Sequence, residues 1–396
     1  MKYGCFHCDE ALACYMLKLL PRYKNASIIR TRDPKILETC DIVVDVGGVY
    51  DPSKHRYDHH QREFKESIST VLNKPELDCD IKLSSAGLIY CHFGEEVIKE
   101  LIPGVTDECD RRNIFKRVYD TLIKEVDAVD NGVPMFAGEP VYRINTGLSS
   151  RVARLNPEWN GPDMDPDKQF HKAMALVGEE FLHFIQFAAK IWWPARSIVR
   201  DAILKRFEVH SSGEIIELAR SLPWKEHLFE LEEELGIKDV IKYVIFKDNN
   251  YRIQGVPLTS GSFVCRMFLP EKWAGLRDEE LSRVSGIDDC IFVHSARFIG
   301  VMMSVSVGLS MSCEMSSLGV SDFGGVNDAS IVANGSSVSV SVSVSGCGVS
   351  KSGDRSVSMS GVSVMCGLSC FVSVSGEMSG FGVSDFGGVN DASIVS

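Results

Sequence analysis

Hydrophobic residues along the first 200 positions follow two different spacings. Segments rich in Ala, Leu and Met, with polar residues at helical intervals, predict helices, and shorter runs of Ile and Val predict strands. The predicted helices cover residues 9–20, 83–102, 114–129 and 168–204, and the predicted strands cover 26–31 and 41–48. This alternation predicts an α/β fold with a mostly parallel sheet and helices on both of its faces.

A second pattern begins near residue 205, where strand-like alternation becomes frequent. It predicts strands at 207–216, 240–247, 251–256, 262–269 and 291–294, and helices at 222–235 and 278–284. The 396 residues exceed what one hydrophobic core usually holds. We therefore expect two folded domains, a first at 1–200 and a smaller α+β domain at 201–300.

The last part of the chain, residues 301–396, has a biased composition. It is rich in Ser, Val and Gly and contains no Pro, His, Trp or Tyr. Its segment Gly319–Val332 recurs identically as Gly382–Val395. These features predict a repetitive, disordered tail instead of a third folded domain.

Composition narrows the class of protein. A formal net charge of −12 at pH 7 argues against a broad basic surface for nucleic acid, although a local basic groove is compatible with it. The thirteen cysteines are mostly scattered singly, which indicates reduced thiols in an intracellular protein. No apolar run of about eighteen residues is present, so we expect no membrane span. Residues 1–3 lead directly into polar, chemistry-bearing sequence, and we expect no cleavable targeting segment.

Aspartates and histidines gather where predicted strands and helices begin or end. They are His7 and Asp9 at the start of the first helix, Asp45 at the end of the strand 41–48, Asp58, His59 and His60 in a polar loop, and Asp127 and Asp130 at the end of the helix 114–129. Carboxylates and imidazoles are the ligands that divalent cations prefer. Two such ions about 3.5–4 Å apart activate a water and stabilise the leaving oxygen of a phosphate ester.

These segments therefore predict a two-metal site that cleaves phosphate esters. In this hypothesis Asp45 bridges the ions, His59 is a ligand, and His60, next to Asp58, faces the phosphate as a donor or acid. His7 and Asp9 complete one side of the site, and Asp127 or Asp130 completes the other.

Plainer interpretations stand beside this hypothesis. An aspartate after a strand is usually a turn or cap residue, and Asp58-His59-His60 alone is compatible with a solvated loop. The C-x-x-C spacing of Cys5 and Cys8 is typical of zinc or redox sites, but no second pair completes it. Arg151 and Arg154 either contact substrate phosphates or are ordinary surface residues.

Several segments together resemble the melanocyte-proliferating-gene protein family of Myg-type exonucleases, within the DHH phosphoesterase superfamily. Related proteins there are RecJ-type nucleases, family II pyrophosphatases and oligoribonucleases. The resemblance spans about residues 4–300. Its segments are Phe6–Ala13, Asp41–Gly48, His55–Arg62, Leu83–Tyr90, Val126–Gly132, Leu148–Pro157, Trp224–Leu231 and Val284–Gly300.

The resemblance implies a DHH-like catalytic domain at 1–200, a substrate-clamping domain at 201–300, and a 3′–5′ exonuclease acting on single-stranded RNA. It implies two Mn²⁺ or Mg²⁺ ions and RNA processing in the nucleus and mitochondrion. Matched position by position, the metal ligands are His7, Asp9, Asp45, His59 and Asp127, with Asp130 as a further candidate. Asp58 and His60 are the catalytic pair, and Arg151 and Arg154 contact substrate.

The chain departs from the family pattern at both ends. Lys2-Tyr3-Gly4 occupies the place of a strand that ends in His-Asn-Gly, and Val301-Met302-Met303 replaces a Gly-His loop. Two alternatives to an active RNA exonuclease remain open. In the first, the chain is a catalytically impaired RNA-binding or regulatory homologue. In the second, it hydrolyses pyrophosphate or small nucleotides.

Overall fold

The computed structural model describes residues 5–303 and, for the backbone alone, the strands at 329–334, 337–342 and 393–395. Residues 1–4, on which the prediction of a replaced first strand falls, lie outside the described residues. Most of the predicted tail 301–396 also lies outside them.

The part of the chain up to residue 204 is mainly helical, with four short strands. The strands are β1 (Ile28–Ile29), β2 (Ile42–Val44), β3 (Tyr50–Asp51) and β4 (Arg56–Tyr57). The helices are α1 (Cys8–Lys18), α2 (Pro34–Leu37), α3 (Ile68–Leu72), α4 (Ser85–Leu101), α5 (Glu108–Val118), α6 (Lys124–Asp130), α7 (Leu148–Ala153), α8 (Pro166–Phe187) and α9 (Trp193–Leu204). Single π-helical turns at Tyr119–Ile123 and Ala188–Trp192 join α5 to α6 and α8 to α9. The predicted helices 114–129 and 168–204 are therefore present, each with a π-helical turn inside it.

Strands dominate the part that follows. Its helices are α10 (Arg206–Val209), α11 (Lys225–Glu234) and α12 (Asp278–Ser285), and its strands are β5 (Ile215–Leu218), β6 (Tyr243–Lys247), β7 (Tyr251–Gly255), β8 (Cys290–Val293) and β9 (Ile299–Met302). Farther along the chain lie β10 (Ala329–Asn334), β11 (Ser337–Val342) and β12 (Ser393–Val395). Strands β10 and β11 pair with each other as an antiparallel ladder.

The first sheet has the order β1-β12-β2-β4-β3. The predicted α/β class is confirmed. Among the described strands of this sheet, β2 and β4 run parallel and the other pairs are antiparallel, so the prediction of a mostly parallel sheet was wrong for this part of the chain. Strand β3 pairs antiparallel with β4 because the connection between them, residues 52–55, is too short for a crossover. Strand β12 lies between β1 and β2 and is antiparallel to both.

The second sheet has the order β5-β6-β7-β9-β8, with β5 and β6 parallel and the other pairs antiparallel. The prediction of one strand over 207–216 was wrong. Residues 206–209 are helical, and a turn at Gly213 (φ 70°) precedes β5. The predicted strand 262–269 is also absent from the described chain, where only an isolated bridge joins Pro257 to Cys265. Its apolar residues do not share one face, since Leu269 is buried and Phe263 is exposed.

Buried side chains form separate clusters on the two sheets. The largest runs from Phe6 to Ala189 and contains most of the buried residues of α1, α4 and α8. Two further clusters line the second sheet, and α9 contributes Val199 and Ile203 to one of them. The predicted domain boundary at residue 200 remains a prediction. Among the described residues, no helix has the length and apolar character needed to cross a membrane.

Candidate metal centre

Strand register brings the sequence-predicted ligands together. Strands β2 and β4 are parallel, with Val44 opposite Tyr57, so the residues that follow them, Asp45 and Asp58, lie at the same sheet edge. The Asp45 amide donates to the Tyr57 carbonyl at 3.0 Å, which fixes the two ends against each other. Asp45 itself has φ 68°, a left-handed conformation that aspartate tolerates and that ends the strand. The carboxyl edge of the sheet is thus the floor of the site.

Helix α1 supplies the opposite wall. His7 is its N-cap residue and Asp9 lies in its first turn, where the helix dipole favours a carboxylate. His59 connects this wall to the sheet edge. Its Nε2 atom lies 3.4 Å from Asp45 Oδ1, 3.8 Å from Asp9 Oδ2 and 3.4 Å from Asp130 Oδ2. The ring is therefore surrounded by carboxylates from three different elements.

The donor atoms fall into three overlapping groups, each within 4.8 Å. The groups are Asp45 with His59 and His60, His7 with Asp9 and Asp130, and Asp9 with Glu10 and Asp45. Asp9 and Asp45 each belong to two groups, which is the arrangement that shared ligands of neighbouring ions require.

Asp58 holds His60 in one orientation. Its Oδ1 atom accepts from the His60 backbone amide at 3.0 Å and lies 2.8 Å from His60 Nδ1. Its Oδ2 atom accepts from the Gly48 amide at 2.6 Å, and Gly48 reaches this position with φ 65°. The hydrogen bond to Asp58 raises the pKa of His60 against the opposing effect of burial. The ring of His60 is 43% exposed, so it lies at the mouth of the site.

The N-terminus of α4 anchors the carboxylates from behind. The Ser85 hydroxyl donates to Asp45 Oδ1 at 2.8 Å, and the Ser85 amide donates to Asp9 Oδ2 at 3.3 Å. The Ser84 amide and hydroxyl and the Gly87 amide all donate to Asp127 Oδ1, at 3.0, 2.7 and 3.1 Å. These contacts fix the carboxylates without using all of their oxygens.

Asp127 differs from the other predicted ligands. It is fully buried and outside the three donor groups, and its Oδ1 atom caps α4. Its Oδ2 atom has no hydrogen-bond partner in the described part of the chain. Its role as a ligand remains a prediction, while Asp130, the less certain candidate, lies in a group with His7 and Asp9.

Burial of so many acids changes their protonation. Burial, followed by the charge of Asp45, raises the pKa values of Asp9 and Glu10, and burial with the charge of Asp9 raises that of Asp130. Burial alone also raises the pKa of Asp45, but the nearby His59, Glu10 and His60 side chains outweigh it and lower that pKa. Burial raises the pKa of Asp127 to about 7. Several carboxyls thus retain protons near neutral pH that a divalent cation would replace.

Buried polar atoms without hydrogen-bond partners are a further indication of a metal site. Asp9 Oδ1, Asp45 Oδ2 and both ring nitrogens of His59 are buried and have no hydrogen-bond partner among residues 5–303. Buried polar atoms are normally paired. The residues present therefore fit divalent metal ions, with oxygen and imidazole donors of the expected kind.

Sequence reasoning missed Glu10. It is fully buried beside Asp9 and Asp45, and its Oε1 atom lies 3.8 Å from Arg30 Nη2. The Arg30 guanidinium in turn packs on the rings of Phe6 and Phe170, at 5.5 and 4.9 Å from their centroids. The available signal was an acid that precedes the apolar run 11–14 inside a buried helix.

The predicted substrate contacts have partners within the protein. Arg151 Nη1 donates to Glu180 Oε1 at 2.6 Å, and Arg154 Nη1 donates to the Asn145 carbonyl at 2.9 Å. Their proposed role in binding substrate remains a prediction.

The protein thus combines a mixed α/β fold with a buried cluster of carboxylates and imidazoles at a sheet edge, a donor set that fits divalent metal ions. The family model MYG1_exonuc, described as an uncharacterised protein family (UPF0160), matches residues 2–315, and the chain belongs to this family.

Relatives from several organisms match this chain over most of its length. The rat protein named MYG1 exonuclease is 52% identical over 301 residues, 75% of this chain and 78% of its own. The human MYG1 exonuclease is 51% identical over 313 residues, 78% of this chain and 83% of its own. The MYG1 protein of Dictyostelium discoideum is 46% identical over 303 residues, 75% of this chain and 89% of its own. No solved structure shows a significant match.

Proposed function

We propose that this protein is a DHH-type, metal-dependent phosphodiesterase that removes nucleoside monophosphates from the 3′ end of single-stranded RNA. The observation that carries the proposal is the set of buried, unsatisfied ligand atoms on Asp9, Asp45 and His59, from three elements that converge on one point. The exonuclease names of the rat and human relatives support a nuclease.

In this proposal His7, Asp9, Asp45 and His59, with Asp127 or Asp130, would hold two divalent ions, Mn²⁺ or Mg²⁺. Bound ions would supply Lewis acidity to the phosphate oxygens and would lower the pKa of an attacking water. Asp45 and Asp9 each belong to two donor groups, which suits residues that would serve both ions.

His60 has a separate task. Asp58 fixes the ring through Nδ1 and raises its pKa above the ordinary value, which favours the protonated imidazole. We assign His60 as the donor to the phosphate oxygens and Asp58 as the residue that positions it. The partial exposure of His60 gives an incoming phosphate access to the ring.

The proposal also assigns a role to each part of the chain. Residues 1–200 form the catalytic domain, 201–300 clamp the RNA strand, and 301–396 are a repetitive tail. The RNA-processing role, in the nucleus and mitochondrion, belongs to the same proposal.

Incubation of the full-length protein with Mn²⁺ and a short RNA labelled at its 5′ end tests the proposal. We expect stepwise shortening and release of nucleoside monophosphates. Asp45→Asn should abolish release, whereas Asp41→Asn, an exposed aspartate before the same strand, should not alter it. Equal activity in Asp45→Asn and wild type refutes the proposed site. A metal content near zero with retained RNA binding would instead identify the non-catalytic homologue.

A smaller substrate is the second candidate. Arg151 and Arg154 were predicted to hold an RNA strand, but their side chains already contact Glu180 and Asn145. These contacts leave fewer cations to bind a long strand, which favours a smaller substrate. Rates on pyrophosphate, dinucleotides and longer RNA, compared at equal phosphate concentration, distinguish the two candidates.

A further inference from the structure

A cavity of about 360 Å³ opens beside the metal centre. His7 and Asp130 lie in its lining, and the walls come from α6, α7, the start of α1 and the segment before α1. The remaining lining residues are Phe6, Cys8, Val126, Val129, Ala153, Ser149 and Ser150. The cavity therefore continues the donor group of His7, Asp9 and Asp130 away from the sheet edge.

The chemistry of the walls excludes a phosphate as their occupant. No lysine or arginine lines the cavity, and the Asp130 carboxyl in its lining offers no positive charge to a phosphate. Four apolar side chains and two serine hydroxyls suit an uncharged ring system with a few polar groups.

Its size sets a further limit. Small-molecule pockets typically measure about 300–1,000 Å³, so this cavity lies near the lower end. It has room for one nucleoside and not for several stacked ones. Phe6, which forms one wall, is held in place because its amide and carbonyl bond to the Asn156 side chain, each at 2.8 Å.

We propose that this cavity binds the terminal nucleoside of the substrate, base and sugar, while the scissile phosphate lies on the metal centre. The apolar walls contact the base, and Ser149 or Ser150 bonds to the sugar or the base edge. This inference rests on the proposed function, since it assigns a position to the nucleoside that the reaction would release.

Adenosine is a suitable probe because it carries no phosphate and needs no metal. Titration of adenosine into the metal-free full-length protein should give saturable binding, and ribose should bind at least tenfold more weakly. Ala153→Phe places a ring in the cavity and should weaken adenosine binding at least tenfold. Ala219→Phe, the same change at an exposed alanine outside the cavity lining, should leave adenosine binding unchanged.

A second pair of variants guards against misfolding of Ala153→Phe. Val129 and Val133 are both exposed, but only Val129 lines the cavity. Val129→Ala should weaken adenosine binding and Val133→Ala should not. Equal adenosine binding by both members of a folded pair, or equal binding of adenosine and ribose, overturns the inference.

The RNA assay separates the two proposals. If RNA is degraded but Ala153→Phe leaves KM unchanged, the cavity assignment fails and the phosphodiesterase stands. If adenosine binds in the expected variant-dependent way but no RNA or nucleotide is hydrolysed, the cavity assignment stands and the proposed reaction fails.

Discussion

Gly87 offers a direct test of how the site is held together. It is the third residue of α4, and a Cβ atom there would lie 2.5 Å from both oxygens of Asp127 and 2.7 Å from Leu83 Cδ2. Real contacts of this kind are essentially never so short, so Gly87→Ala must displace the Asp127 carboxylate. The displaced side chain would then lose its hydrogen bonds to Ser84 and Gly87.

The expected magnitude combines three effects. Overpacking a close contact costs about 1–3 kcal/mol. Loss of hydrogen bonds to a charged group costs about 1.5–3 kcal/mol. Alanine in place of glycine within a helix recovers up to about 1 kcal/mol. We therefore expect Gly87→Ala to lower the free energy of unfolding by about 1.5–6 kcal/mol.

Urea denaturation at pH 8, followed by circular dichroism, measures this change. The control is Gly104→Ala, because a Cβ at Gly104 meets no atom within 4 Å and its φ is not positive. That variant should stay within about 0.5 kcal/mol of wild type. If Gly87→Ala is as stable as Gly104→Ala, Asp127 does not lie against the start of α4 and the packing argument fails.

Three further predictions concern metal binding and pH. Ser85→Ala removes the hydroxyl that orients Asp45 and should weaken Mn²⁺ binding by about 10–100-fold in calorimetry, whereas the exposed Ser211→Ala should not; equal affinities would contradict this. Chelation of metal should lower the Tm, and restoring Mn²⁺ at 100 times its Kd should add about 2.7 kcal/mol of stability; a Tm independent of Mn²⁺ would argue against a site in the folded state. His227 is buried with a lowered pKa, so the unfolded chain binds its proton first and stability should fall as pH drops below 6.5. His227→Gln should reduce that fall relative to exposed His171→Gln, and parallel pH profiles of the two variants would refute it.

Local sequence patterns predicted much of the secondary structure. Helices α1 and α4 and the buried strand β2 lie where apolar periodicity placed them, because their burial comes from adjacent residues of one element. The apolar alternation at 262–269 predicted a strand that is absent from the described chain. Apolar alternation indicates only that some of the residues are buried. Whether they form a strand depends on a neighbouring strand with which they can pair.

The candidate site, like the fold, could be predicted from the sequence only in part. His7, Asp9, Asp45 and His59 could be named as candidate ligands because carboxylates and imidazoles are chemically distinctive and stand here at the ends of elements, and their role as ligands remains a prediction. Glu10 was missed because an acid in the first turn of a helix is ordinary, and its burial against Arg30 depends on a residue twenty positions away. Sheet direction was also beyond the pattern, since the placement of β12 depends on the opposite end of the chain.

The start of α4 shows how contacts between distant parts of the chain hold the candidate site together. A helix N-terminus is usually capped by its own N-cap side chain, but Ser84 makes no such bond within its helix. The free amides of α4 are instead satisfied by Asp127 from α6 and Asp9 from α1, residues 40 or more positions away. The positive end of the helix dipole thereby offsets part of the cost of burying these carboxylates. One helical turn thus both completes the fold and holds acids where a cation can bind them, so changes at Ser85 and Gly87 should alter stability and metal affinity together.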